Sequence, residues 1–328
     1  MATAQLDVVG IGNAIVDVIA HTDDGFLAAA SMVKGSMTLV DEARAETIYA
    51  SMGPGVEVSG GSAGNTIAGI ASLGGRAGYI GKVRDDLLGK VFRHDITSAG
   101  VEFPTPPATD GPATARCMIL VSPDGQRTMN TFLGACVNLG PKDVDADLIA
   151  RAQLTYLEGY LFDPPHAQEA FRHAAGIAHD AGRKVSLSLS DSFCVERHRQ
   201  AFLQLVDHHI DVLFGNEGEI AALFETPDFR AAVERLRGLC ELVAITRGAA
   251  GSVIVTRDQI IEVPAAPVSH VVDTTGAGDL YAAGFLYGLT QGKPLAECGR
   301  LASLSAAEII SHFGGRPETP LKDYVGAA

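Results

Sequence analysis

The chain has 328 residues, of which 47% are hydrophobic and 20% are charged, so it can bury a sizeable core. Its formal net charge of −14, its lack of tryptophan and its aromatic content of only 6% argue against nucleic-acid binding. A polyanion would be repelled, and few side chains could stack on its bases. The composition therefore predicts a soluble protein without a nucleic-acid partner.

Five cysteines are scattered along the chain without a close pair. This is typical of reduced thiols in a cytosolic protein rather than of a disulfide framework. The first residues lack the basic region and the long apolar stretch of a signal peptide. No apolar run approaches the roughly 20 residues that span a bilayer. We therefore expect a cytoplasmic protein without a membrane segment.

Strand-like and helix-like segments alternate along most of the chain, which predicts an α/β fold. The predicted strands, in chain order, are 6–12, 76–83, 154–161, 184–190, 211–216, 241–248, 251–256 and 259–263. The predicted helices are 65–75, 85–100, 165–181, 194–206, 217–224, 228–238, 277–291 and 294–312. This order favours a mainly parallel central sheet with helices on both faces.

Two regions, 17–58 and 102–133, break the alternation with short strand-like stretches. In the second region, two alternating stretches flank Ser-Pro-Asp-Gly at 122–125, which is a strong hairpin signal. We expect these two regions to form a small β-rich lid domain. The large α/β domain would then comprise 1–16, 59–101 and 134–328.

Residues 276–279, Gly-Ala-Gly-Asp, stand where a long apolar helix pattern begins. Glycines allow close backbone approach, and free N–H groups at a helix start attract phosphate oxygens. Gly276, Ala277 and Gly278 are thus candidates for an anion site that stabilises a transferring phosphoryl group. Asp279 is a candidate general base for a hydroxyl nucleophile. Taken alone, the pattern more often marks close packing and an acid that complements the helix dipole.

The segment DTTGAGD at 273–279 resembles the C-terminal signature of the ribokinase-like (PfkB-type) family of sugar and nucleoside kinases. Three further segments resemble family motifs in the family order: VSGGSAGNTIAGIASLGG at 58–75, GNEGE at 215–219 and ITRGAAGS at 245–252. The resemblance implies the ribokinase-like fold with a lid. It also implies ATP as phosphoryl donor, Mg²⁺ and a small-molecule acceptor. Dependence on a monovalent cation such as K⁺ is a trait of some relatives and stays open.

Five of the candidates for binding the acceptor lie in the first 65 residues. Asn13 and Asp17 follow the first buried strand, at the edge where α/β proteins bind ligands, and a carboxylate there suits the vicinal hydroxyls of a ribose. A turn asparagine and a surface aspartate are the alternative. Gly60 and Gly61 permit close backbone approach and Asn65 can hydrogen-bond, although a helix-capping loop uses the same residue types. The resemblance implies that these last three face the hydroxyls of the acceptor.

Asn216 and Glu219 begin a helix directly after a predicted strand. Alone, they are typical of a capping box, whereas their oxygens also suit a water-bridged Mg²⁺. The resemblance implies that they lie in the metal and phosphate region. It also implies that Thr246, Gly248 and Thr274 lie beside ATP.

Arg127 lies on the predicted hairpin, from which it would reach the phosphates when the lid closes. A surface arginine is the alternative.

GNAIVDVIA at 12–20 and HIDVLFGNEGEIAALF at 209–224 resemble the adenosine kinase branch of the family. Phe193 matches a phenylalanine of that branch and is a candidate for the wall of the nucleoside site. We therefore predict an ATP-dependent kinase that phosphorylates the 5′-hydroxyl of adenosine.

Two alternatives to adenosine stay open. A kinase for ribose, fructose or a related sugar would use the same Asp17, Asn65 and Asp279. A catalytically idle ligand-binding protein on the same fold is the alternative of another class. The resemblance is compatible with a monomer or a homodimer.

Overall fold

The structure, a computed structural model, describes residues 4–327. Residues 1–3 and 328, which the predicted large domain includes, lie outside the described residues. The strands are β1 Leu6–Ile11, β2 Ile15–His21, β3 Met37–Leu39, β4 Gly55–Gly60, β5 Ala77–Ile80, β6 Ala115–Val121, β7 Arg127–Phe132, β8 Ala152–Glu158, β9 Lys184–Ser188, β10 Val212–Asn216, β11 Leu242–Thr246, β12 Ser252–Thr256 and β13 Ile260–Val263. The helices are α1 Asp24–Ala29, α2 Glu42–Ser51, α3 Ser62–Ser72, α4 Leu87–Ser98, α5 Ala146–Arg151, α6 Pro165–Asp180, α7 Ser192–His209, α8 Glu217–Phe224, α9 Phe229–Leu236, α10 Ala277–Thr290, α11 Leu295–Ile309 and α12 Leu321–Ala327.

Every strand and helix predicted for the large domain is present, most of them with shifted ends. Helix α3 begins at Ser62 rather than at 65, because Gly61 occupies its N-cap with a φ of +83°. Helices α1, α2, α5 and α12 were not predicted. Six or seven residues in α1, α5 and α12 are too few to display a periodic apolar pattern, and α2 buries only Ala45 and Ile48. None of the helices between residues 4 and 327 combines the length and the apolar composition that a membrane crossing needs.

Within residues 4–327, the large sheet has eight strands in the order β13-β12-β11-β10-β9-β8-β1-β5. The strands from β11 to β5 in this order are parallel, and β12 and β13 each pair antiparallel with their neighbours. The carboxyl ends of the parallel strands therefore meet at one edge.

Alternate side chains of the large sheet enter two separate cores. On β11, Val243 and Ile245 belong to a core shared with α6, α7, α8 and α9. Leu242 and Ala244 of the same strand belong to a core shared with α3, α4, α10 and α11. Burial on both faces explains why these strands are nearly continuous apolar runs in the sequence. The prediction of a mainly parallel sheet flanked by helices on both faces is confirmed.

The second sheet, which we call the lid sheet, has five strands in the described part of the chain, in the order β3-β7-β6-β2-β4. The predicted hairpin joins β6 to β7 through a turn in which the Ser122 N–H donates to the Gln126 carbonyl at 2.9 Å. Strand β2 begins at Ile15, soon after β1 ends at Ile11, so the chain enters the lid sheet from the carboxyl edge of the large sheet. The exact domain boundaries stay a prediction.

Candidate active site

A cleft of about 670 Å³ is lined by residues at the carboxyl edge of the large sheet and by the lid sheet. Glu158, Asn216 and Thr246 are the last residues of β8, β10 and β11, and all three line it. From the lid sheet, Asp17 and Ile119 line the opposite side. Open α/β sheets bind their ligands at this edge, so the cleft is the candidate active site.

Asp279 lies in the first turn of α10, where two side chains of α3 hold its carboxylate. Ser62 Oγ donates to Oδ1 at 2.6 Å, and Asn65 Nδ2 donates to Oδ2 at 2.9 Å. Burial raises the pKa of Asp279, whereas these two hydrogen bonds and the charge of Arg316 oppose the rise. A carboxylate that is fixed in this way and faces the cleft is suited to accept a proton from a hydroxyl.

The residues predicted to form the anion site lie at the start of α10. Gly276, Ala277 and Gly278 all line the cleft, and Gly276 caps the helix with a left-handed φ of +77°. Asp273 shapes the preceding turn, because its Oδ1 accepts from the Thr275 N–H at 3.1 Å and from the Thr275 hydroxyl at 2.9 Å. The positive end of a 14-residue helix therefore points into the cleft, as phosphate binding requires.

Asp17 lies on β2 and faces the cleft, and Gly60 of β4 leaves space for it. A Cβ on Gly60 would lie 2.3 Å from a carboxylate oxygen of Asp17, so a larger residue would displace this carboxylate. Burial raises the pKa of Asp17 to about 7, with Asp279 adding to the rise and Arg316 and Arg127 opposing it. This carboxylate is thus available to accept hydrogen bonds from hydroxyls once it is ionised.

Asn13 and Gly61 lie against each other at the start of α3. A Cβ on Gly61 would lie 2.2 Å from the Asn13 carbonyl oxygen, which only glycine avoids. Asn13 Nδ2 donates to Glu158 Oε1 at 2.7 Å, and the Ala63 N–H donates to Glu158 Oε2 at 2.7 Å. Glu158 therefore ties the β1–β2 connection to the first turn of α3. Burial raises its pKa to about 7.

Asn216 and Glu219 form the capping box of α8. Asn216 Oδ1 accepts from the Glu219 N–H at 2.9 Å, and Glu219 Oε2 accepts from the Asn216 N–H at 3.0 Å. Both side chains also line the cleft, and burial raises the pKa of Glu219 to about 7. Asn216 and Glu219 therefore cap α8 and face the cleft at the same time.

These oxygen donors fit a water-bridged Mg²⁺ better than a directly coordinated ion. Within residues 4–327, no three His, Cys, Asp or Glu side chains cluster as a metal site. An ion beside Asn216 and Glu219 would therefore take its remaining ligands from water and from phosphate oxygens, as Mg²⁺ commonly does.

The residues predicted to lie beside ATP are only partly brought together. Thr246 and Thr274 line the cleft, and Thr246 pairs in register with Asn216 on the neighbouring strand. Gly248 lies in a 3₁₀ turn outside the cleft lining, with a φ of +55°. The intervening Arg247 is paired with Glu217 at 2.8 Å.

Arg127 begins β7 and connects the lid sheet to the loop before α10. Its Nη2 lies 2.7 Å from Asp273 Oδ2, and its guanidinium lies 5.3 Å from the centroid of the Phe313 ring. None of its three guanidinium nitrogens has a hydrogen-bond partner among residues 4–327, so the contact with Asp273 is an ion pair without hydrogen-bond geometry. Arg127 is thus buried beside the anion site rather than exposed on the surface.

Phe193 lies in the first turn of α7, where Asp191 caps the helix. Its side chain is 68% exposed and lines the cleft, as does Tyr160 at 43% exposure. Large aromatic side chains that remain exposed inside a cleft are available to contact a ligand.

Ser62, Glu158 and Arg316 were not predicted as site residues. Glu158 carried one signal, an acid at the carboxyl end of an otherwise apolar strand pattern. Ser62 and Arg316 carried none, since their partners Asp279 and Ser59 lie 217 and 257 residues away in the chain.

Similarity to known proteins identifies the family. The profile of the pfkB family carbohydrate kinases matches residues 38–322. The chain belongs to the PfkB family. This kinase is 32% identical, over 77% of its length and 98% of the relative, to an uncharacterized sugar kinase of Archaeoglobus fulgidus.

Two solved structures are similar to this PfkB kinase over nearly all of both chains. An adenosine kinase from Sinorhizobium meliloti is 53% identical with a TM-score of 0.92, and covers 99% of this chain and 100% of that one. A probable sugar kinase protein from Rhizobium etli CFN 42 is 49% identical with a TM-score of 0.92, and covers 99% of each chain. The fold is therefore ribokinase-like, and family membership implies that ATP is the phosphoryl donor for a small-molecule acceptor.

Proposed function

We propose that this kinase transfers the γ-phosphoryl group of ATP to the 5′-hydroxyl of adenosine, giving AMP and ADP. The observation that carries the choice of acceptor is the apolar inner face of the lid sheet. Its side chains line the cleft on the same side as Asp17 and comprise Ile15, Met37, Leu39, Ile119 and Met129.

This face is suited to an aromatic base rather than to a sugar. Met37 and Leu39 are 51% and 56% exposed although they border the cleft, so apolar surface is left for a ligand to cover. The thioethers of Met37 and Met129 adapt their shape and make favourable contacts with aromatic rings. A ribose or fructose has hydroxyls around its ring and therefore has little apolar area that could contact this face.

Asp17 lies within this surface, two residues after Ile15 on β2, and would accept hydrogen bonds from the vicinal hydroxyls of the ribose. The glycine turn at 60–61 keeps its carboxylate unobstructed. The ribose would then lie between Asp17 and Asp279, both of which line the cleft.

Asp279 would act as general base. Its carboxylate takes the proton of the 5′-hydroxyl as the oxygen bonds to the γ-phosphorus, and the bond to the β–γ bridging oxygen breaks to release ADP. The N–H groups at the start of α10 would stabilise the negative charge of the phosphoryl group, and Arg127 would add a positive charge from the lid. Asn216 and Glu219 would hold Mg²⁺ through water, and the ion would supply charge screening for the phosphates.

The 53% identity to an adenosine kinase supports this acceptor, whereas the similarities to sugar kinases keep ribose and fructose as rivals. ADP release should be measured with adenosine, inosine, guanosine, ribose and fructose. We expect the highest kcat/KM for adenosine. A higher kcat/KM for ribose or fructose would overturn the nucleoside assignment, and nucleoside binding without ADP release from any acceptor would identify a ligand-binding protein.

The role of the lid face is tested by Leu39→Ser. Losing the burial of one leucine side chain against the base should raise the KM for adenosine roughly tenfold with little change in kcat. Val56→Ser is the matched control, because Val56 is a 68% exposed lid-sheet residue that does not line the cleft. Equal KM values for the two variants would show that the apolar face does not contact the acceptor.

A further inference from the structure

Arg316 lies in the loop between α11 and α12 and donates hydrogen bonds to residues on both sides of the glycine turn at 60–61. Its Nε donates to the Ser59 carbonyl at 2.8 Å, and its Nη2 donates to Ser59 Oγ at 2.7 Å. Its Nη1 donates to the Gly64 carbonyl in the first turn of α3. Ser59 and Gly64 flank the turn at 60–61, so one guanidinium spans the segment that positions Gly60, Gly61 and the start of α3.

The loop that carries Arg316 also touches the catalytic end of the cleft. A Cβ on Gly315 would lie 2.6 Å from Asn65 Nδ2, the group that donates to Asp279. The Gly314 N–H donates to Asp273 Oδ2 at 3.3 Å. Three consecutive residues, 314–316, therefore contact three parts of the site: the loop at 273–276 before α10, which we call the anion loop, the asparagine that holds Asp279, and the glycine turn.

The charge of Arg316 acts on both carboxylates of the site. It lowers the pKa of Asp17 and of Asp279, in opposition to burial. The other charged or titratable groups that face it are Asp95 of α4, whose Oδ2 accepts from the Ser59 N–H at 2.7 Å, and Tyr79 of β5.

Stabilisation of α3 does not explain the position of Arg316. Arg316 contacts the N-terminal turn of α3, which is the positive end of the helix dipole and is unfavourable for a cation. The guanidinium is partly buried, and it also needs anionic partners to offset its desolvation. Asp17, Asp95 and Asp279 are the carboxylates that act on it.

We propose that Arg316 is a positioning residue for phosphoryl transfer, which fixes the glycine turn beneath the acceptor and places a positive charge behind Asp17 and Asp279. This role deepens the proposed function and rests on it.

Two substitutions separate geometry from charge. Arg316→Lys keeps the charge but loses the fork of donors, so we expect a KM for adenosine that rises on the order of tenfold with the pH profile retained. Arg316→Gln removes the charge as well. Because the pKa values of Asp17 and Asp279 would then rise, the acidic limb of its kcat/KM profile should move to higher pH, with a loss on the order of ten- to a hundredfold at neutral pH.

Arg300→Gln is the matched control, since Arg300 is an exposed arginine paired with Glu297 on α11. ADP release with adenosine across the pH range and thermal unfolding should be measured for all three variants. A purely structural Arg316 predicts a lower Tm for Arg316→Gln with wild-type KM and an unmoved pH profile, and that result would overturn the proposal. If the wild type releases no ADP with any acceptor of the panel, the proposed function fails and this role fails with it. If the wild type is active and Arg316→Gln has the same KM and pH profile, the role of Arg316 is contradicted and the proposed function is not.

Discussion

Asp279 meets the requirements of a general base because its neighbours fix its carboxylate without neutralising it. Ser62 and Asn65 each donate to one of its oxygens, and burial keeps its pKa above the usual range. An ionised carboxylate is needed for proton transfer. Activity is therefore present above the raised pKa and is lost as the pH falls through it.

Asp279→Asn tests this residue directly. The amide keeps the shape of the side chain but cannot take a proton, so we expect kcat to fall on the order of 10²–10⁴, the range of general-base catalysis. Steady-state kinetics and thermal unfolding should be measured together, and the Tm should stay near that of the wild type. Turnover close to wild type would remove Asp279 from the chemical step.

The start of α3 depends on a partner from another strand. Glu158, at the end of β8, receives the Ala63 N–H and the Asn13 side chain on its two oxygens. A Cβ on Gly12 would lie 2.3 Å from Glu158 Oε2, so the β1–β2 connection closes tightly around this carboxylate. Glu158 thereby fixes the β1–β2 connection relative to α3, the helix whose Ser62 and Asn65 bind the Asp279 carboxylate.

Glu158→Gln should disturb this junction. Glu158 accepts from the N–H and the side chain of Asn13 on Oε1 and from the Ala63 N–H on Oε2. A glutamine keeps only one acceptor oxygen, so either Ala63 or Asn13 loses its acceptor and the start of α3 shifts. We expect kcat/KM to fall between about tenfold and a hundredfold, as small displacements of catalytic groups do. Hydrogen exchange at 61–66 should become faster. Glu169→Gln, on the exposed side of α6, is the control, and identical kinetics for both variants would contradict the role of Glu158.

The elements were predictable where a local pattern encodes them. The large-sheet strands are continuous apolar runs, and α10 begins at Ala277 as the Gly-Ala-Gly-Asp pattern predicted. The contacts that assemble the site were not predictable, since Arg316 and Ser59 are 257 residues apart and Asn13 and Glu158 are 145 apart. Such pairs obey no periodicity, and only the folded topology brings them together.

In the whole molecule, the candidate site is divided between two sheets. Asp17 and the apolar face belong to the lid sheet, whereas Asp279 and the anion loop lie at the start of α10, which packs in the core on one face of the large sheet. Arg127 and Asp273 join the two parts through an ion pair whose side chains are only 6% and 8% exposed. Loss of a buried ion-pair partner leaves the other charge unpaired and is costly. This pair should therefore hold the lid hairpin against the anion loop.

Arg127→Gln breaks that connection and removes a positive charge beside the anion site. We expect faster hydrogen exchange in β6 and β7, and a kcat lower on the order of 10²–10³, the usual effect of losing one electrostatic group at a transferring charge. Arg116→Gln is the matched control, because Arg116 is a buried lid arginine whose partner Glu46 lies on α2, within the predicted lid. Faster exchange in both variants with kcat reduced only in Arg127→Gln would assign the catalytic loss to the missing charge. An Arg127→Gln variant with wild-type exchange and wild-type kcat would contradict both roles.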